Sequence, residues 1–280
     1  MDSFRLVSLL GVLSIIVLFI ARVLTGDMGL AICALLIVII DLCIYFFSPR
    51  IVLSMARAKP FPIHAAHEIA AALEDLSRQA NIPTPDLYLT PDPQPNIFSV
   101  GRNTSHASIA VTRGLVEVLS LSEIRAVMAH EIGHIAHNEI LIHSISATLA
   151  GLLTAVLPVQ TLTSKHSEEG STSHGNSLGA LLLLIVAPIA SYVIKFVSSD
   201  KVEYKADFYG ATLTREPIIL ARALEKIHLA VQEEIPLMSP NPALGHLYIA
   251  NPFHSKTLTT LFSTHPQMEE RITRLKTMLV

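Results

Sequence analysis

Long uncharged apolar runs alternate with shorter amphipathic stretches along the 280 residues. Four of these runs approach or exceed the roughly 20 apolar residues that a helix needs to cross a bilayer. Residues 6–21 carry no charge between Arg5 and Arg22, and both arginines can reach the interface to extend a slightly short span. Residues 28–48 are interrupted only by Asp41. Residues 140–164 contain no Asp, Glu, Lys or Arg and hold one histidine, His143. Residues 178–194 are also uncharged and are followed by Lys195. Ala21-Arg22-Val23 is a poor signal-cleavage context, and a second span follows within about six residues, so the first two runs read as a retained helical hairpin.

Two blocks lie outside the spans, 50–139 and 198–280. In the first, Ile69, Leu73, Leu76 and Ala80 recur at helical spacing over 65–80. Short strand-like runs follow at 86–90, 96–100 and 107–112, separated by Pro- and Asn-containing turns. Residues 115–138 read as a helix, and Ser120-x-x-Glu123 is a capping-box pattern that places the active start there. The chain therefore divides into a first transmembrane hairpin (1–49), the first part of a soluble domain (50–139), a second hairpin with an external polar loop at 164–177 (140–197), and the second part of that domain (198–280). The expected fold is a four-helix transmembrane protein bearing one α+β domain.

Composition supports this division. Hydrophobic residues make up 51% and charged residues 15%, too greasy for an ordinary soluble domain. A net charge of −3, the absence of tryptophan and the lack of any basic run argue against a nucleic-acid partner. Cys33 and Cys43 share one apolar run and read as packing residues, not as a disulfide or metal pair. Arg5, Arg50, Arg57, Lys59, Lys195, Lys201 and Lys205 fall on one side of the four-span topology, against Arg22 and Lys165 on the other. That bias puts both termini and the soluble domain in the cytoplasm.

Between the second and third spans lies His130-Glu131-Ile132-Gly133-His134. Two histidines four apart on a helix point the same way and can reach one metal ion. The glutamate beside them can serve as general base toward water, the arrangement of a zinc peptidase. A chain of this composition would contain the pattern by accident about 0.03 times. A third ligand is needed, and Glu203-x-x-x-Asp207 offers one: Glu203 completes a two-His, one-Glu set with an open position, while Asp207 can orient a ligand histidine. Two spans lie between His134 and Glu203, and an even number of crossings returns the chain to the same side. His137 follows His134 too closely to join the set, and His64 and His67 read as surface residues beside a helix start. A zinc transporter or sensor would want several polar groups within the spans, and only Asp41 and His143 are there. A scaffold with structural zinc has no use for Glu131.

At these residues the chain resembles the HtpX family of bacterial membrane proteases, related to the CAAX prenyl proteases. Asn96-Ile97-Phe98-Ser99-Val100-Gly101 resembles that family's substrate-edge segment, and Thr264-His265-Pro266 with Glu270-Arg271-Ile272 its C-terminal signature. Ile97 replaces the usual alanine, and Val202 stands where an arginine commonly precedes the ligand glutamate. The resemblance implies a gluzincin-type domain with one Zn2+ per chain, ligands His130, His134 and Glu203, and Glu131 as base. It implies substrate contacts at Asn96 and Phe98 on a sheet edge that takes an added strand. It makes His265 a candidate stabiliser of the oxyanion, although His265-Pro266 reads equally as a turn before a closing helix at 267–278. It further implies a multi-pass enzyme of the bacterial inner membrane. Cleavage of membrane or unfolded proteins at the cytoplasmic face, in quality control and stress response, would follow.

Overall fold

The computed structural model describes residues 2–62, 66–156, 200–233, 237–238, 241–252 and 267–279. The end of the third expected span, the 164–177 loop, the fourth span, His64 and His265 lie outside the described residues.

Helix α1 runs from Asp2 to Met55 with a single non-helical residue, Gly26, at φ 71° and ψ −162°. The helix is kinked at that residue, in a conformation that only glycine adopts without strain. From Gly26 to Met55 the helix has a mean hydropathy of 2.8 over its most apolar stretch and is long and apolar enough to cross a membrane. Its side chains Met28, Ile32, Leu35, Leu36 and Ile39 point outward.

A four-stranded sheet follows in the order β1-β2-β4-β3, with β1 Lys59–Pro60, β2 Asp86–Thr90, β3 Ile97–Asn103 and β4 His106–Thr112. Strands β2 and β4 run parallel and the other pairs antiparallel. Strands β3 and β4 are largely buried on both faces and alternate between two cores, while β1 and most of β2 are more exposed. Ile97, Ile109 and Val111 pack with α2 (His67–Gln79), α4 (Leu121–Ala136), α7 (Pro217–Gln232) and α8 (Met268–Lys276). Phe98, Val100 and Ala110 pack instead on Val52, Leu53 and Ala56 at the end of α1, together with Ala147, Leu244 and Tyr248. The sheet thereby fastens the apolar helix to the soluble core. Residues from both expected blocks, 50–139 and 198–280, share that larger core.

The short helix α3 (Arg113–Val118) separates β4 from α4, so the expected 115–138 helix is two. Helix α5 (Ile140–Val156) begins where the third span was expected, but its first turns bury Ile140, Ser144, Ala147 and Thr148 against β3 and α1. Ser144 exchanges hydrogen bonds with the backbone of Gly101, and the Thr148 hydroxyl donates to the Ser48 carbonyl. Helix α6 (Asp200–Thr214) then lies against α4.

Candidate metal centre

Helix α4 starts as expected. The Ser120 hydroxyl accepts from the Glu123 amide at 3.4 Å, and the Glu123 carboxylate accepts from the Ser120 amide at 2.8 Å. Lys226 on α7 donates to the same carboxylate at 2.8 Å, tying the helix start to its neighbour. The helix then carries His130, Glu131 and His134, all buried.

Glycine permits the approach of α6. A Cβ on Gly210 would lie 2.7 Å from the His130 amide nitrogen and 3.0 Å from the Ala129 carbonyl carbon, both backbone atoms that cannot step aside. The two helices touch nearly backbone to backbone, and Glu203 and Asp207, up to two turns earlier on α6, reach the histidines. Nε2 of His130 lies 3.6 Å from one Glu203 oxygen, and Nε2 of His134 lies 3.7 Å from the other. The two Nε2 atoms are 3.2 Å apart. All three ligand atoms fall within 4.8 Å of one another.

That donor set fits a zinc ion. Tetrahedral coordination at about 2.0–2.1 Å implies roughly 3.3 Å between ligand nitrogens. The outer ring nitrogens are also occupied: His130 Nδ1 lies 2.9 Å from Asp207 Oδ1, and His134 Nδ1 2.9 Å from Glu139 Oε2. A proton on each Nδ1 leaves the Nε2 lone pairs facing inward, the tautomer a metal needs. Charge points the same way. Burial pulls the His134 imidazole down, yet the Glu139 hydrogen bond and the charges of Glu203 and Glu131 outweigh it and push the pKa up to about 9. A field that so favours positive charge suits a divalent cation.

Asp207 stands where it was expected to orient a ligand histidine. Glu139 does the same for His134 and was not foreseen in that role. Asn138 adopts φ 56°, which turns the chain beyond the helix so that Glu139 comes back over His134. His137, one residue before that turn, bonds the Gly133 carbonyl at 2.7 Å and packs its ring on Tyr209, away from the ligands. His143, on the first turns of α5, sets its ring 5.1 Å from that of His134.

Arg271 is the largest fully buried side chain among the described residues, at 0% exposure. It donates two hydrogen bonds of 2.8 Å to Asp207 and one of 3.1 Å to the Ile249 carbonyl, and it lies 3.0 Å from Glu203. It supplies the carboxylate partner that Val202 does not. Burial raises the Asp207 carboxyl, but Arg271 and His130 outweigh that and hold it below the usual range.

Glu131 accepts a 2.6 Å hydrogen bond from the Ser99 hydroxyl on β3, a contact no sequence pattern announced. Asn96 and Phe98 are used differently from the expectation. The Asn96 amide donates to the Ala250 carbonyl at 2.7 Å, and the Phe98 ring packs edge-on against Tyr248. Both side chains are buried inside the fold, because the strand alternates and only 97, 99 and 101 face the metal side. The outer edge of β3 is also partly closed: Ile97 O accepts from the Ile249 amide, and Gly101 N–H donates to Ser144. Ser99 lies between these two closures, with its backbone on the same edge.

Two histidines from one helix and a carboxylate from a second, with a further carboxylate beside them, define a metal-dependent hydrolase site. The model for "Peptidase family M48" matches residues 64–279, and the chain belongs to that family. It is a metallopeptidase, a hydrolase of peptide bonds. A protein named "Protease HtpX homolog" from Syntrophobacter fumaroxidans is 39% identical, covering 99% of both chains. Another of that name from Persephonella marina is 38% identical over 98% of this chain and 96% of its own. The fold is similar to the crystal structure of S. mikatae Ste24p, with a TM-score of 0.52 at 19% identity. The similarity covers 98% of this chain but only 64% of that one.

Proposed function

We propose that this protein is a membrane-embedded zinc endopeptidase that cleaves membrane or loosely folded proteins at the cytoplasmic face, in protein quality control. The reading rests on the buried His130–His134–Glu203 set with Glu131 beside it. The span Gly26–Met55 supports membrane attachment, and the basic residues near its Met55 end support a cytoplasmic domain. Four spans in all, with both termini in the cytoplasm, complete the topology.

His130, His134 and Glu203 would hold one zinc ion, with Asp207 and Glu139 fixing the histidine tautomers. A bound zinc supplies Lewis-acid polarisation of the scissile carbonyl and acidifies water. Glu131 takes a proton from the attacking water and returns it to the leaving amine. The Ser99 hydroxyl donates to Oε2 of Glu131 and so helps to hold the orientation of that carboxylate. The backbone of Ser99, between the two closed ends of the β3 edge, would pair with an extended substrate segment. Recognition through backbone groups tolerates many sequences, which suits a quality-control enzyme. His265 remains the candidate for stabilising the oxyanion.

The test uses detergent-purified full-length protein and casein. Cleavage stops with a chelator and returns with zinc. The Glu131→Gln variant keeps about one zinc per chain but does not cleave. Cleavage by that metal-loaded variant would end the mechanism.

A further inference from the structure

We propose that the Met55 end of α1 and the bulged end of β3 form a binding site for one anionic phospholipid, its phosphate between Arg50 and Arg102 and an acyl chain along the helix. The inference rests on the reading of Gly26–Met55 as a span. Two adjoining clefts share Phe46, Arg50 and Arg102. The first, of about 270 Å³, is lined by donors that include Thr84, Thr104, Ser105 and His106. The second, of about 430 Å³, adds Leu42, Cys43 and Phe47 and is apolar apart from the arginines.

Position along the helix sets the level of the site. At 1.5 Å per residue Arg50 lies about 33 Å beyond Met28, where a hydrocarbon layer about 30 Å thick gives way to headgroups. Strand β3 brings Arg102 to the same level, with its guanidinium 5.2 Å from the centre of the Phe46 ring. The register of β3 against β4 shifts between Gly101 and Asn103, at Arg102 itself. Among the described residues neither guanidinium has a hydrogen bond or an ion pair within 4.0 Å, and Asp86 is the only carboxylate lining either cleft. Two uncommitted guanidinium groups above an apolar trough match a phosphate diester carrying acyl chains. A zwitterionic lipid would bring its own cation to the same arginines.

The sequence contains no tryptophan, so Phe47→Trp places a single tryptophan, excited apart from the tyrosines, in the apolar cleft. The full-length variant is placed in phosphatidylcholine vesicles containing a fixed fraction of either dibrominated phosphatidylglycerol or dibrominated phosphatidylcholine. Quenching should report a roughly 30-fold preference for the anionic lipid, at about fivefold per cation near a membrane surface. Adding Arg50→Gln with Arg102→Gln should abolish that preference. The corresponding pair of lysine replacements should keep most of it, which separates loss of charge from loss of fold. Arg78→Gln, on the exposed side of α2, should not alter it. Equal quenching by the two lipids, or a preference that survives the double glutamine replacement, overturns the site and leaves the span standing. Quenching by neither lipid overturns span and site together. Soluble glycerol phosphate at millimolar concentration should not displace the lipid. Displacement would assign the arginines to a free phosphate ester and overturn the lipid assignment.

Discussion

Replacing Arg271 with methionine removes a guanidinium buried among three acidic groups, Asp207, Glu203 and Glu131. In the native protein it neutralises Asp207 through two 2.8 Å hydrogen bonds and stands 3.0 Å from Glu203. Methionine fills much of the volume but leaves Asp207 with His130 alone and takes away the guanidinium beside Glu203. Breaking a buried ion pair from one side costs about 3–5 kcal/mol, because the orphaned charge stays desolvated. For a domain of this size that lowers the unfolding midpoint by about 10 °C. Thermal unfolding in detergent, followed by intrinsic tyrosine fluorescence, measures it. The partner variant Asp207→Asn removes the orphaned charge, so the double variant should lose clearly less than the sum of the two singles. The pH dependence carries a sign. Asp207 is held below its ordinary value of 3.8, so its contribution is complete above that value and is lost as pH falls through the lowered one. In the methionine variant the carboxyl is raised instead, and the gap to the native protein narrows as acid protonates it. A loss below about 1 kcal/mol at neutral pH, or strict additivity with Asp207→Asn, would refute this account of Arg271.

Three further substitutions probe the centre. Glu203→Ala should drop zinc content well below one per chain, measured by atomic absorption after dialysis, since a catalytic zinc has only three protein ligands. Full occupancy would remove Glu203 from the ligand set, with Glu139 already engaged by His134. Ser99→Ala should lower kcat on the order of tenfold with KM and zinc content unchanged, reflecting the loss of a charge-assisted hydrogen bond that holds the base, and Ser99→Thr should restore part of it. An unchanged kcat would make that contact incidental. Gly210→Ala should weaken zinc binding at least tenfold while helicity by circular dichroism stays native, because its Cβ would press on the His130 backbone. The exposed Thr212→Ala serves as its control.

Much of the centre was legible because its chemistry is local. His130, Glu131 and His134 follow from helical period alone, and the Ser120–Glu123 cap from four letters. Glu203 and Asp207 needed only a parity argument about crossings. What escaped were contacts between remote segments. The sequence marks position 271, by its place in the C-terminal signature and on one helical stripe with Met268 and Leu275, but not its partners, which lie on α6 and at Ile249. Ser99 reached Glu131 only because β3 alternates in a register set by β4. The same alternation explains why Asn96 and Phe98 face away from the metal side. Glu139 had a local signal in Asn138, which enters the left-handed region more readily than other non-glycine residues and so can turn a chain back as glycine would. The long helix α1 was legible as apolar runs, but the single-residue break at Gly26 was not, because six intervening residues suggested a longer turn.

The packing of Gly210 on His130 has a consequence for biosynthesis. A ribosome makes the two histidines and their neighbouring glutamate 69 to 73 positions before Glu203 and more than 130 before Arg271. Until α6 exists and lies down on α4, a nascent chain holds two imidazoles and a base with no third ligand to complete them. Two of the three candidate metal ligands are therefore made well before the third. The set is complete only once α6 has closed on α4, so its assembly waits on tertiary structure and not on the local helix alone.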